Sequence, residues 1–395
     1  MARDKKMAEE TVKAKKKKKL TKKQQQKRKL IIFGVEILCL LLLLGILYVW
    51  SLWSKINVES DMNDSEAGIN EDLGDDTLVT LKGYTNIAIF GLDNRGNGKY
   101  DSGNSDVIMI ASINNDTKEV KLVSVYRDTY LNVGSGKYNK ANSAYARGGA
   151  KAAVQMLNTN LDLNIKEYMC VDWAAVVEAV DALGGVEIEI TEQERGMINF
   201  MLEEIDYYVG TKTAFVKEAG VQNLNGAQAT AYARIRKTAG NDFKRTSRQR
   251  IVLEAMLNKA KQSNISTLLD ICNAVFDDVS TSLSLDEIIG LARHVKEYTI
   301  ASTSGFPFEM TTTYLAQTNS TVVPIGLEDD VAMLHKYLFG TEDYEPSMTV
   351  KTISDAIIDK TGISADSSAI DVEDFNDTAG QSGTVFKDDE STEED

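Results

Sequence analysis

The chain has 395 residues, with 59 Asp and Glu against 44 Lys and Arg, a formal net charge of −15, two histidines and three cysteines. So few histidines argue against a histidine zinc site or a Ser-His-Asp triad, and so acidic a chain is a poor general binder of polyanions. An anionic ligand would need arginines gathered locally, or a metal ion.

The charge is unevenly spread. Residues 3–29 hold fourteen Lys or Arg and three acids, a net of +11, which leaves −26 for the remainder. Leu30 to Trp53 then runs almost unbroken in apolar residues. As a helix it would reach about 36 Å, enough for a bilayer core of roughly 30 Å. Lysines stay on the cytoplasmic side, so residues 1–29 are expected inside as a basic tail, 30–53 as a transmembrane helix, and the rest outside the cell membrane. The exit through Tyr48, Trp50 and Trp53 suits an interfacial aromatic belt rather than a small-residue cleavage site. Cys39 falls in the span; Cys170 and Cys272 are left outside it, where they are either two buried thiols or a pair.

Residues 54–80 are polar and acidic and are expected to form a stalk. A main domain is expected over 81–345, and a C-terminal extension over 346–395 that ends in an acidic, disordered tail. Inside the domain, Asn86 to Gly91, Val107 to Ile113 and Val120 to Val125 read as short buried strands, the last two joined by a turn at 114–117. Ala150 to Leu157 reads as a helix, and Asp172 as the N-cap of another that closes at Gly184. Val186 to Ile190 alternates as a half-buried strand should. Asp242 to Lys261 reads as a long helix with Val252, Leu253, Met256 and Leu257 on its apolar face, and Ser284 with Glu287 as a capping box. Strands in tight succession followed by helices point to an α/β layered domain.

Three constellations could carry chemistry. Asp93 and Arg95 follow the first strand, and Asp106 opens the next. Two carboxylates at neighbouring strand ends can converge on magnesium or manganese, which bind phosphates alongside water, although two loop-capping aspartates would look the same. Arg127-Asp128 ends the third strand, either as a local ion pair or as a guanidinium for phosphate beside a carboxylate for an attacking hydroxyl. The densest group is Arg234, Arg236, Arg245, Arg248, Gln249 and Arg250. With 232–236 as a strand, Arg234 and Arg236 share a face, and on a helix Arg245, Arg248 and Gln249 do. Guanidinium forks match phosphate oxygens in two-point contact; a solvated helix face is the plainer alternative.

In this order, behind one apolar span, these segments resemble the LytR-CpsA-Psr family of cell-envelope proteins over roughly residues 85–276. The resemblance rests on Gly91-Leu-Asp93-Asn-Arg95, Ser105-Asp106, Val125-Tyr-Arg127-Asp128-Thr129, Lys140-Ala-Asn142, Val180-Asp-Ala-Leu-Gly-Gly-Val186, Leu224-Asn-Gly226, Tyr232-Ala-Arg234-Ile-Arg236 and Asp242-Phe243-Lys-Arg245 with Arg248-Gln249. It implies an α/β/α sandwich around a central mixed β-sheet. It also implies a magnesium-dependent phosphotransferase that moves an anionic glycopolymer from a polyprenyl-pyrophosphate carrier onto a muramic acid hydroxyl of peptidoglycan. A non-catalytic polyprenyl-phosphate binder that regulates envelope assembly is the alternative.

By the same resemblance Asp93 and Asp106 would hold Mg2+, or Mn2+ in its place. Arg95, Arg127, Lys140, Arg234, Arg236, Arg245 and Gln249 would bind the pyrophosphate, and Asp128, with Arg127 and Arg95, would act at the reacting atoms. Val176, Val177, Val180, Val252, Met256 and Ile271 are candidates for an apolar tunnel around the lipid, and equally for ordinary core. Two positions depart from the family pattern: Asn104 stands where an arginine is usual, and Tyr126 where a proline is. With 29 residues expected inside and no helix-turn-helix among them, no nucleic-acid partner is expected.

Overall fold

The structure is a computed structural model that describes residues 57–58, 62–93, 100, 103–236, 241–275 and 278–370. The chain divides into two units, Met1–Ser54 and Lys55–Asp395. The expected basic tail and apolar span fall in the first unit, outside the described residues, as does the tail beyond residue 370. Among the described residues no helix is long and apolar enough to cross a membrane.

The second unit is built on a seven-stranded sheet. Its strands, in chain order, are β1 (Asn57–Val58), β2 (Tyr84–Leu92), β3 (Ser105–Asn114), β4 (Glu119–Val125), β7 (Glu167–Val171), β10 (Val279–Thr281) and β11 (Thr299–Phe306). The spatial order is β1-β10-β7-β2-β3-β4-β11. β2 and β7 run parallel, β2, β3 and β4 antiparallel, and β4 and β11 parallel, so the sheet is mixed. The three strands expected from sequence are its centre. Their apolar residues split by parity because successive strand side chains point to opposite faces. Ala88, Phe90, Ile108, Ile110, Val123 and Val125 join one core, whereas Ile87, Met109, Ala111, Ile113, Val120 and Leu122 join another.

Helices cover both faces. The first core takes the buried sides of α2 (Ser143–Leu161), α9 (Leu327–Phe339) and α10 (Met348–Thr361). The second packs against Leu253 and Leu257 of α6 (Asn241–Gln262) and Leu291 of α8 (Leu285–Arg293). The result is the α/β/α sandwich. Its N-terminal edge lies upstream of residue 81: Met62, Ala67 and Leu73, within the stretch expected as stalk, are buried in the first core. Downstream of 345, Val350, Ile353 and Ile357 of α10 are buried there too. Asp162 ties these two ends together, accepting from Asn70 at 2.7 Å, the Tyr344 hydroxyl at 3.0 Å, and the Ser347 amide and hydroxyl at 2.8 and 2.7 Å. Cys170 on β7 is wholly buried, its sulfur accepting from the Tyr145 hydroxyl at 3.2 Å.

A third core sits beside one end of the sheet. It is formed by α3 (Trp173–Ala182), the antiparallel pair β8 (Val186–Ile190) and β9 (Gly220–Leu224), α4 (Glu192–Val209), α5 (Gly226–Arg234) and one side of α6. The expected cap at Asp172 is present, accepting from the Ala175 amide at 3.0 Å, and so is the Ser284–Glu287 capping box. Residues 232–236 are not a strand. α5 runs to Arg234, started by a reciprocal Asn225–Gln228 capping box that satisfies two otherwise orphaned amides. Gly226 is required at that start, since a Cβ would collide with the Val177 carbonyl and push α5 off α3.

Candidate active site

Between the sheet end and the third core lies a cavity of about 370 Å³. Asp93 follows the last residue of β2, and Asp106 is the second residue of β3. Antiparallel pairing places Leu92 opposite Ser105, so both carboxylates reach the same mouth. Arg234, at the end of α5, and Arg236, two residues on, meet them there, with Arg245 and Gln249 from α6. Arg234 and Arg236 thus line one cavity as expected, but through a helix end and the residue pair after it rather than through strand parity.

Asp106 is the hub of the mouth. Its Oδ1 accepts from Arg127 Nη1 at 2.7 Å, its Oδ2 from Arg236 Nη2 at 2.9 Å, and its backbone carbonyl from Arg245 Nη2 at 3.2 Å. Burial pushes this carboxyl upward, but Arg127, Arg245 and Arg236 outweigh burial and hold it below the ordinary carboxylate range. Arg234 is fixed differently. Its guanidinium lies 3.3 Å from the centre of the Trp173 ring and 3.3 Å from Glu204. Burial pulls its pKa down, with Glu204 and Asp93 opposing. Trp173 and Glu204 were not singled out from sequence; the one available signal for Trp173 was its place directly after the Asp172 cap.

Below the charged rim the cavity is apolar, walled by Val176 of α3, Met197, Phe200 and Met201 of α4, and Val252 and Met256 of α6. Of the tunnel candidates, Val176, Val252 and Met256 line it, while Val177 and Val180 are buried in the third core and Ile271 is not part of the wall. Thr230 and Gln249 interrupt the apolar wall, each with a buried side-chain oxygen that has no hydrogen-bond partner among the described residues.

The remaining site residues lie at the edge or away from this cavity. Arg127 and Asp128 line a second cavity of about 300 Å³ with Tyr126 and Phe243. Lys140, ending strand β6 (Tyr138–Lys140), stands 3.0 Å from Asp128 Oδ1. Arg248 turns from the site into a buried ion pair with Glu194 at 2.8 Å, coupling α4 to α6, and Arg250 is wholly buried. Arg95 lies outside the described residues. Tyr126, in place of the usual proline, packs edge-on against Phe243 of α6 with ring centroids 4.7 Å apart. Its hydroxyl occupies the space a side chain at position 305 would need, so Gly305 is required.

Two carboxylates at the mouth suit a magnesium ion completed by phosphate and water oxygens. Each Asp106 oxygen accepts one hydrogen bond and keeps a second lone pair, so the set fits such an ion. Among the described residues there is no cluster of three or more His, Cys, Asp or Glu that would cage a metal without substrate.

The model of the LytR_cpsA_psr family matches residues 52–335. A polyisoprenyl-teichoic acid–peptidoglycan teichoic acid transferase, TagU, of Enterococcus faecalis is 30% identical over 267 residues, covering 66% of this chain and 81% of that one. Among solved structures, a Streptococcus agalactiae protein superposes with a TM-score of 0.56 at 24% identity, covering 68% of this chain and 92% of that one. Bacillus subtilis TagT with bound octaprenyl pyrophosphate superposes at 0.50 and 20% identity, covering 72% of this chain and all of that one.

Proposed function

The chain belongs to the LytR_cpsA_psr family, and from that premise we propose that it is a phosphotransferase that moves an anionic glycopolymer from a polyprenyl-pyrophosphate carrier to peptidoglycan. The observation that carries this reading is a single cavity with a guanidinium-rich mouth and an apolar interior. A polyprenyl pyrophosphate has the same two halves: a multiply charged head and a hydrocarbon tail. The relatives' names agree, one acting on polyisoprenyl-linked teichoic acid and one holding octaprenyl pyrophosphate.

The chemistry asks little covalent work of the protein. An acceptor hydroxyl attacks the phosphorus that bears the polymer, and polyprenyl monophosphate leaves. Charge builds on the phosphate oxygens, and fixed cations in a water-poor site stabilise it more than water would. Arg236 and Arg245 are held at the mouth by Asp106, and Arg234 by Trp173 and Glu204, so these guanidiniums are oriented in advance. Asp93 and Asp106 would hold the magnesium ion, or manganese in its place; when bound it withdraws charge from the diphosphate. The apolar wall excludes water from the far side of the head group. Residues 30–53 would anchor the domain on the outer face of the membrane, where both substrates are presented.

The test uses the full-length chain in detergent with radiolabelled lipid-linked polymer, magnesium and isolated peptidoglycan. Label should become sediment-bound, and Asp93→Ala should abolish this while the fold is retained. Absence of transfer by the wild type, or transfer undiminished in Asp93→Ala, contradicts the reading.

A further inference from the structure

Asp128 does not line the cavity that holds the other acidic groups. It lines the second one, with Arg127, Tyr126, Phe243, Thr312 and Ser320. The two spaces are joined at one side chain. Arg127 donates to Asp106, which lines the first cavity, and its Nε stands 3.6 Å from Asp128 Oδ2 in the second.

The linings differ in chemistry. The first is apolar beneath its cations, whereas beyond the Arg127–Asp128 pair the second is uncharged and rich in hydroxyls. Thr312 and Ser320 are exposed on one face of the hairpin formed by β12 (Met310–Leu315) and β13 (Asn319–Pro324), where Thr312 pairs with Val322 and Ser320 with Tyr314. The Tyr126 and Phe243 rings line the same cavity, together with Val322 and Ile370. Hydroxyls that both donate and accept, beside flat aromatic edges, match a polyhydroxylated ligand.

The carboxylate is also arranged for work. Lys140 holds Asp128 Oδ1 at 3.0 Å, and the Asp128 carbonyl accepts from the Val322 amide at 3.0 Å, which ties it to the hairpin. Among the described residues Oδ2 accepts no hydrogen bond, and Arg127 Nε stands 3.6 Å from it.

Resting on the proposed function, we propose that the second cavity is the acceptor site, binding the N-acetylhexosamine chain of peptidoglycan so that a sugar hydroxyl meets Asp128 Oδ2. Donor and acceptor then approach from opposite sides of Arg127. The hydroxyl proton passes to Oδ2 as its oxygen forms a bond to the polymer-bearing phosphorus. The bond from that phosphorus to the bridging oxygen breaks, and the electron pair leaves on polyprenyl monophosphate. The geometry separates two specificities: α3, α4 and α6 read the lipid, and the β12–β13 hairpin reads the glycan.

Ser320→Trp and Thr312→Lys test this, since both positions are exposed and neither supports the core. With the full-length chain at saturating donor, each substitution should raise KM for a soluble peptidoglycan oligosaccharide by about tenfold or more, and leave the Kd for octaprenyl pyrophosphate within about twofold. An unchanged acceptor KM, or an equal loss of donor affinity, overturns the inference. Direct binding of the same oligosaccharide, followed by NMR without donor, should be seen with the wild type and lost in Ser320→Trp. Failure of the wild type to transfer polymer would sink the proposed function, whereas failure of the wild type to bind the saccharide, or binding retained in Ser320→Trp, sinks the acceptor site alone.

Discussion

Arg127 is the side chain on which the two cavities meet. It hydrogen-bonds Asp106 at 2.7 Å on one side and stands 3.6 Å from Asp128 on the other. A planar guanidinium offers separate nitrogens to the two carboxylates, Nη1 to Asp106 and Nε toward Asp128, whereas a lysine has one nitrogen to share between them. Arg127→Ala should therefore lower transfer by about 10²- to 10³-fold, the range for losing one preorganised donor to a developing anion. Arg127→Lys should recover little of it, and measured kcat/KM at constant donor affinity is the check; recovery to near wild type would show that charge alone suffices. At this scale the sequence was informative about which arginines could gather and poor about where they point. Arg234, Arg236 and Arg245 do reach the expected mouth, because Arg234 ends α5, Arg236 follows it and Arg245 lies in the second turn of α6. Arg248, one turn from Arg245, is drawn off by Glu194, a partner 54 positions away that no local pattern reveals.

Among elements, those with a complete local signal were legible. β2, β3 and β4 carry apolar residues in both parities because both faces of the sheet are covered. The caps at Asp172 and Ser284 are written in two or three adjacent residues. The end of α5 was misread although its signal was present, since Asn225 stands three residues before Gln228. β11 was missed for a different reason: Ser302, Thr303 and Ser304 make it read as a loop, and only its place beside β4 makes it a strand.

His335 of α9 stacks on Tyr344, in the connection to α10, with ring centroids 3.6 Å apart, and bonds the Leu161 carbonyl at the end of α2 through Nε2 at 3.1 Å. Burial pulls its pKa down to about 4, against the weaker upward pull of the Leu161 carbonyl and Asp162. The unfolded chain protonates this imidazole near 6.5, so between about 6.5 and about 4 the unfolded state binds more protons, and stability is lost as the pH is lowered through that range. The loss should approach about 3 kcal/mol at the acid end. Chemical denaturation at pH 7 and pH 5 should show that part of the slope removed in His335→Gln; an unchanged slope would mean the imidazole is not held neutral.

At the scale of the molecule, the chain joins a basic, apolar beginning to an acidic body that concentrates its arginines at one mouth. On the proposed reading the division of labour would be cations for the diphosphate, an apolar wall for the tail and a hydroxyl-bearing second cavity for the glycan. Sequence alone could place neither end of the body, because residues 62–80 and α10 owe their burial to each other's company around Asp162, far apart in the chain. The most direct measurement is photocrosslinking of the full-length chain with octaprenyl pyrophosphate carrying a diazirine in its tail, mapped by mass spectrometry. Label is expected on Val176, Met201, Val252 and Met256, and should be lost when the head-group contact is removed in Arg236→Ala. Label spread over other surfaces, or indifferent to Arg236, would contradict a single cavity that grips both halves of the carrier.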